Sequence, residues 1–430
     1  MVKLVKKLAI EGAKRTVPEG SVKPWPVITD EDKKAVLEVL DMDLSQDDGY
    51  PVSEFQKEWA QYVGVKHCLV TNSGTSALHM AVAAAGVGSG DEAITSAYTF
   101  LASASCVLHH NGIPIFVDID PRTFNIDPKK IEEKITGKTK AIIAVHIQGL
   151  PADMDEINAI AKKRNLVVIE DACQAHGAEY KGKKVGALGD MAGFSLNRSK
   201  NLQALEGGLF VTDNDDYLDR AEMIRQFGEI ISRGKPREYN AYEMGWMYRT
   251  HEITAALARS QLKRLDQLNA LRIKNCEYLS RRLAKIDGVG PPYVPSDRKH
   301  VYWLYPVRFK PSDLDLDVHP RKFRMSVEKA LNAEGVPIGQ WQRMPVPAQT
   351  LFRLKEGYGK GCPWNCKFAR KGIEYRAEDY PETLKMLDEV TFVRGFMPPN
   401  GLDLIDYYIE AFEKVFSNLD PVMRISESIQ

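Results

Sequence analysis

From residue 66 to 212, short β-branched apolar runs alternate with segments whose apolar positions recur at helical spacing. The runs His67–Val70, Glu92–Thr95, Ile115–Val117, Ala141–Val145, Val167–Glu170, Ala192–Ser195 and Leu209–Thr212 predict strands. Helical patterns lie between several of them, at Ser76–Ala85, Ala102–His110 and Met154–Arg164. The alternation predicts an α/β fold, a mostly parallel seven-stranded sheet covered by helices on both faces.

After about residue 250 the texture changes. Glu252 to Ile286 predicts a long, partly amphipathic helix or helix pair, and Val301–Phe309 a strand. Ser326–Glu334, Pro381–Leu387 and Leu402–Phe416 predict helices, the first stopped by Gly335. Residues 1–265 are therefore expected to form a large domain with an N-terminal segment. Residues 266–430 are expected to form a smaller C-terminal α+β domain. Residues 340–376, rich in Gly, Pro, Trp and Cys, fit neither pattern and read as an insertion or long ordered loop. The last ten residues are expected to fray. There are no internal repeats and no low-complexity tracts.

Charge narrows the partners. Among 430 residues the 58 basic and 58 acidic side chains cancel, which leaves no global field for gathering nucleic acid or an acidic membrane. The basic clusters Lys3 to Lys7 and Arg281-Arg282 are short and read as solvated surface. No apolar stretch approaches the ~20 residues that span a bilayer. The N-terminus has no apolar core of signal-peptide length, so the protein reads as cytoplasmic. Six scattered cysteines suit reduced thiols. Cys362-Pro363-Trp364-Asn365-Cys366 has no second Cys or His pair close in sequence. It reads as a turn with two thiols, and no metal site is expected.

The residues with chemistry sit just past the C-terminal ends of strands, the edge where open α/β sheets bind ligands. Lys200 follows Ser195 and precedes Glu206-Gly207-Gly208. A lysine there can form an imine and shuttle a proton, although most lysines are surface residues. Asp171 ends an apolar run and can hold a pyridinium proton, or serve as a helix N-cap. Gln174, three residues on, is placed to border a ring. Ser73-Gly74-Thr75-Ser76 opens a helix whose N–H groups and hydroxyls favour a phosphate, a weak motif by itself. Phe100 is placed to lie on a ring face or in the core. Arg249 suits a phosphate or a surface ion pair. An imine-forming lysine, an acid for a ring nitrogen and a phosphate turn make up most of a pyridoxal phosphate site.

Several motifs in order resemble the DegT/StrS family of pyridoxal-phosphate-dependent sugar aminotransferases, of the aspartate aminotransferase fold type I. They are Ser73-Gly74-Thr75-Ser76-Ala77-Leu78, Thr99-Phe100, His146-Ile147-Gln148-Gly149-Leu150-Pro151-Ala152-Asp153-Met154 and Glu170-Asp171-Ala172-Cys173-Gln174-Ala175-His176-Gly177-Ala178. Phe194-Ser195 to Lys200, Glu206-Gly207-Gly208 and Tyr248-Arg249 to Gln261-Leu262 continue the pattern. The resemblance implies Lys200 as the Schiff-base lysine and Asp171 as the partner of the pyridine nitrogen. It implies Gln174 at the ring edge, Phe100 stacked on the ring, and Gly74, Thr75 and Ser195 on the phosphate. It implies a homodimer with sites at the interface, where Arg249 reaches the phosphate of the other subunit. Relatives that act as sugar dehydratases carry histidine at the position of Lys200, so the lysine favours transamination. The implied reaction moves an amino group from glutamate or glutamine to a ketone on a nucleotide-linked sugar or a cyclitol such as an inosose. A non-catalytic PLP-binding or regulatory homologue is the alternative. A nicotinamide dehydrogenase would need a Gly-x-Gly-x-x-Gly after a first strand, and the chain has none there. Three departures from the family pattern fall at Met247, Trp303 and Pro345-Val346-Pro347-Ala348-Gln349.

Overall fold

A computed structural model of the chain describes residues 7–43, 50–231, 236–427 and 429. Most of the basic run Lys3 to Lys7 lies outside the described residues. Seven strands form where the apolar runs predict them. They are β1 (His67–Thr71), β2 (Glu92–Ser96), β3 (Ile113–Val117), β4 (Thr139–Val145), β5 (Val167–Asp171), β6 (Met191–Ser195) and β7 (Gly208–Thr212). They make one sheet in the order β1-β7-β6-β5-β4-β2-β3. The pairs from β3 through β2, β4 and β5 to β6 are parallel. β7 runs antiparallel between β1 and β6. The predicted mostly parallel seven-stranded sheet is thus the observed one.

Helix α1 (Gly74–Ala84) follows β1 and packs on β6 and β7. Its run of small residues, Ala77, Ala81, Ala83 and Ala84, lets the helix lie close on the sheet with almost no exposed surface. Helix α2 (Ala102–His109) follows β2 in the same way.

A second, antiparallel sheet lies in the C-terminal part. Its strands are β8 (Val289–Gly290), β9 (Tyr305–Phe309), β10 (Ile338–Gly339) and β11 (Val390–Val393), in the order β8-β9-β11-β10. Phe309, Phe323, Leu331 and Phe412 share its apolar core, which also takes Leu8 and Val17 from the N-terminus. Buried Glu334 pins that N-terminal segment. Its carboxylate accepts from Ala9 N at 2.7 Å, from Thr16 N at 3.0 Å and from Lys414 Nζ at 2.8 Å.

Several boundaries differ from the sequence reading. The 252–286 pattern is two helices, Glu252–Leu262 and Leu265–Leu283. The strand expected at Val301–Phe309 begins only at Tyr305, because Tyr302 takes φ 47° and the chain turns toward the large sheet instead. The helix ending at Glu334 starts earlier, at Pro320, capped by the His319 side chain. The C-terminus is not frayed throughout. Leu419–Glu427 is a helix with Val422 fully buried in the C-terminal core.

The 340–376 segment is ordered and covers the edge of the large sheet. β3 is the last strand there, and Pro114 within it lacks an N–H. Phe352 and Tyr375 meet Phe116 edge-on, with centroids 5.1 and 5.6 Å away. Tyr375 Oη donates to Pro114 O at 2.9 Å, and Arg370 Nε pairs with buried Glu92 at 2.7 Å. An edge that would otherwise offer unpaired backbone is closed off. Within this cover Cys362 and Cys366 flank a turn whose backbone bonds run from Cys362 N to Gly359 O and from Cys366 N to Pro363 O. Among the described residues, no helix is long and apolar enough to cross a membrane.

Candidate active site

The C-terminal ends of β1, β5 and β6 bring the predicted residues together. Gly74, the first residue of α1, lies so close to β6 that an added Cβ would sit 2.8 Å from Ser195 Cβ and 2.9 Å from Cys173 Sγ. At Gly208, which pairs with both Thr71 and Ser195, a Cβ would overlap the carbonyl of Ser73. Only glycine permits these approaches. Ser73 caps the helix: its Oγ accepts from Ser76 N at 3.1 Å and its carbonyl from Ala77 N at 3.2 Å. The N–H groups of Gly74 and Thr75 take no part in those bonds. A helix start whose Gly74 and Thr75 N–H groups have no partner among the described residues, beside the Ser195 hydroxyl, is suited to an anion.

Asp171 is the last residue of β5 and 5% exposed. It is not a helix N-cap, the role sequence alone left open. Its Oδ2 accepts from Ser103 Oγ at 2.5 Å and its Oδ1 from Cys173 N at 3.1 Å. Ser103 in turn lies 2.7 Å from Thr99 Oγ1. The carboxylate is therefore held by two donors and oriented from α2. Its neighbour Glu170 points to the other face of the sheet, as alternation along a strand requires. Glu170 Oε2 accepts from His146 Nε2 and Gly186 N, both at 2.8 Å, while Oε1 accepts from Leu188 N and Gly189 N, both at 2.7 Å. His146 Nδ1 accepts from Ala152 N at 3.1 Å, so its proton is on Nε2. This closed network ties the Glu170-Asp171 strand end to the His146–Asp153 turn.

Lys200 lies in the loop between β6 and β7. Burial pushes its amine below the ordinary lysine value, while the Asp171 and Glu206 carboxylates act in the opposite direction. Its Nζ stands 4.0 Å from the centroid of the Trp303 ring. Trp25 Nε1 donates to Lys200 O at 3.2 Å. Gln174 is buried and its Oε1 accepts from Gln148 N at 2.7 Å. Lys200, Asp171, Gly74 and Ser195 thus share one region, with Gln174 three residues beyond Asp171 and half-buried Thr75 next to Gly74. Two candidates are exposed. Phe100 is 53% exposed. Arg249 is exposed, although Tyr248 O and Met247 O before it accept from Asn72 N and Nδ2 at 2.8 and 3.2 Å.

Sequence reasoning missed Ser103 and the part played by Trp303. Ser103 stands one helical turn after Thr99, a spacing that hinted at a shared hydroxyl pair. Trp303 was visible only as a departure from the family pattern.

The comparisons with known proteins agree with this geometry. The profile of the DegT/DnrJ/EryC1/StrS aminotransferase family matches residues 26–374. GDP-perosamine synthase of Caulobacter vibrioides is 40% identical over 284 residues, 66% of this chain and 76% of the relative. L-glutamine:2-deoxy-scyllo-inosose aminotransferase of Streptomyces lividus is 39% identical over 59% of this chain and 61% of its own. The crystal structure of 3-amino-5-hydroxybenzoic acid synthase superposes with a TM-score of 0.80 at 27% identity, over 95% of this chain and 100% of that one. The fold and the site define a fold type I transferase that works with pyridoxal phosphate. The chain belongs to the DegT/DnrJ/EryC1/StrS aminotransferase family and is a PLP-dependent aminotransferase. The donor set fits that cofactor: a half-buried lysine, a buried carboxylate fixed by two donors, and a helix start whose first N–H groups have no partner among the described residues, beside a serine hydroxyl.

Proposed function

We propose that the protein transfers an amino group from glutamate or glutamine to a ketone on a sugar or cyclitol ring. Half-buried Lys200, in the loop after β6, within electrostatic range of the buried Asp171 carboxylate at the end of adjacent β5, carries this reading. The relatives support the acceptor class, since one is named for a nucleotide-linked sugar and another for an inosose. When bound, pyridoxal phosphate supplies a carbonyl that condenses with amines and a ring that takes up electrons. Gly74, Thr75 and Ser195 would hold its phosphate through backbone N–H groups and hydroxyls. Asp171 would hold the proton of the ring nitrogen. Gln174 would border the ring and Phe100 would cover its face. Lys200 Nζ would serve as the base and acid that moves the substrate proton.

In this reading residues 1–265 form the cofactor-binding unit with an N-terminal segment whose Leu8 and Val17 pack in the C-terminal core. Residues 266–430 form the smaller unit, from which Trp303 reaches the Lys200 loop. The protein acts as a homodimer in the cytoplasm. Phe227, Ile230, Tyr242 and Met244 are exposed shortly before Arg249, an apolar surface suited to a second copy. Arg249 then reaches the partner's phosphate across that interface.

The test is the pair of half-reactions. Glutamate or glutamine should bleach the yellow protein, and a panel of nucleotide keto-sugars and inososes should restore the colour. Bleaching by neither donor, or recovery with none of the ring ketones, refutes the assignment. Lys200→Ala should abolish turnover while cofactor still binds. Asp171→Asn should slow proton removal by orders of magnitude.

A further inference from the structure

Trp303 is held by Ser199, Gln148 and Trp341. Its Nε1 donates to Ser199 O at 2.9 Å, which fixes the indole to the residue preceding Lys200. Its backbone N donates to Gln148 O at 2.8 Å, and Gln148 N is in turn bound by Gln174. Trp341, from the segment that covers the sheet edge, meets the indole edge-on with centroids 5.4 Å apart at 84°. Trp341 also stands edge-on to Tyr98, 5.6 Å away. The indole is 8% exposed. A ring placed so firmly does not drift to suit the lysine; the lysine lies over the ring.

Lys200 Nζ is 4.0 Å from the ring centroid, inside the range at which an ammonium is attracted to an indole face. In a desolvated setting that attraction favours the charged form of the amine. The groups around the amine are few. Asp171, Glu206 and Cys173 lie within electrostatic range, and His176 feels the charge of the amine. Burial drives the Cys173 thiol well above its usual value and the His176 imidazole down to about 3, so both stay neutral. Only the carboxylates and the ring face then favour the ammonium, against a burial effect that is the largest influence on it.

We propose that Trp303 is a positioning residue for Lys200, its indole face parking the free lysine amine whenever a substrate nitrogen occupies the cofactor. The role rests on the aminotransfer reading above. Without a parking place the released amine samples many rotamers and must be recaptured at each proton transfer. With one, it swings between two defined positions.

The test measures the amine directly rather than turnover. The full-length protein loaded with pyridoxamine phosphate, in which Lys200 is free, is pulse-acylated across a pH series. Modification of Lys200 is read by peptide mass spectrometry. Trp303→Leu should lower the midpoint of Lys200 reactivity by about one pH unit, because the ammonium loses its attraction to the ring. Trp303→Phe, which keeps a π face but not the indole N–H, should move it by less than about half as much. Circular dichroism checks both folds, and Trp303→Met, which fills the space without a ring, replaces a leucine variant that unfolds. A leucine midpoint within about 0.2 units of the parent overturns the proposal. So does a phenylalanine shift as large as that of leucine, which would assign the effect to the Ser199 bond. Borohydride trapping with pyridoxal phosphate separates the two levels. A midpoint shift in a protein whose Lys200 cannot be trapped would refute the aminotransfer reading and leave only the ring's hold on the amine.

Discussion

Glu170→Gln tests whether the site is held from beneath. The carboxylate has no exposed surface, and each of its oxygens accepts two hydrogen bonds. An amide offers one accepting oxygen and one NH2 group. Whichever way it turns, the NH2 faces two N–H donors, either Leu188 with Gly189 or Gly186 with His146. His146 cannot repair the loss by moving its proton to Nδ1, because that nitrogen already accepts from Ala152 N. Two donors, half-buried in the first orientation and buried in the second, are left without partners, at about 1–3 kcal/mol each, or about 2–6 kcal/mol together. That is a large share of an ordinary stability of about 5–15 kcal/mol. A chain of this length does not unfold in one step, so the readout should be local. Amide hydrogen exchange at Gly186, Leu188 and Gly189 should speed up at least ~30-fold, the lower limit of that range at 1.4 kcal/mol per decade. Exchange within a factor of about three of the parent would show that the network does not brace the strand end.

Gly74→Ala should weaken cofactor binding by about 5- to 150-fold, since its methyl must displace Ser195 or Cys173 at a typical overpacking cost of ~1–3 kcal/mol. Fluorescence titration of the cofactor checks it. Ser103→Ala removes the 2.5 Å donor from Asp171 and should slow the donor half-reaction by ~10-fold or more, with Ser103→Thr restoring most of the rate. Single-turnover absorbance would measure both. Burial pushes the Glu334 carboxyl up, but Lys414, Ala9 N–H and Thr16 outweigh it and hold the pKa below the usual value. Its stabilisation is therefore present above the unfolded carboxyl pKa of about 4.3 and lost as pH falls through the lower, folded value. Limited proteolysis should then release residues 9–17 faster at low pH, and Glu334→Gln should release them at neutral pH as well.

Much of this architecture was legible because its strands are covered on both faces. Runs such as Ile142–Val145 and Val168–Ile169 must be apolar to lie between helices, and their C-terminal ends mark the ligand edge. Lys200, Asp171, Gly74 and Ser195 were therefore placed together before any coordinates. Strand order was not legible, and neither was the antiparallel course of β7, because a fully buried run carries no sign of its direction. The Ser103–Asp171 bond joins residues 68 apart, so no local spacing reveals it. The 301–304 segment has the apolar content of a strand, yet Tyr302 turns out of the sheet and delivers Trp303 to Lys200. The expected fraying of the last ten residues fails over most of their length, because Leu419–Glu427 is a helix that buries Val422.

Everything proposed for the reaction depends on which amine meets the cofactor. Borohydride reduction of the protein mixed with pyridoxal phosphate, followed by peptide mapping, should yield a single phosphopyridoxyl peptide carrying the mass on Lys200. A label on another lysine, or no stable label, would contradict the account.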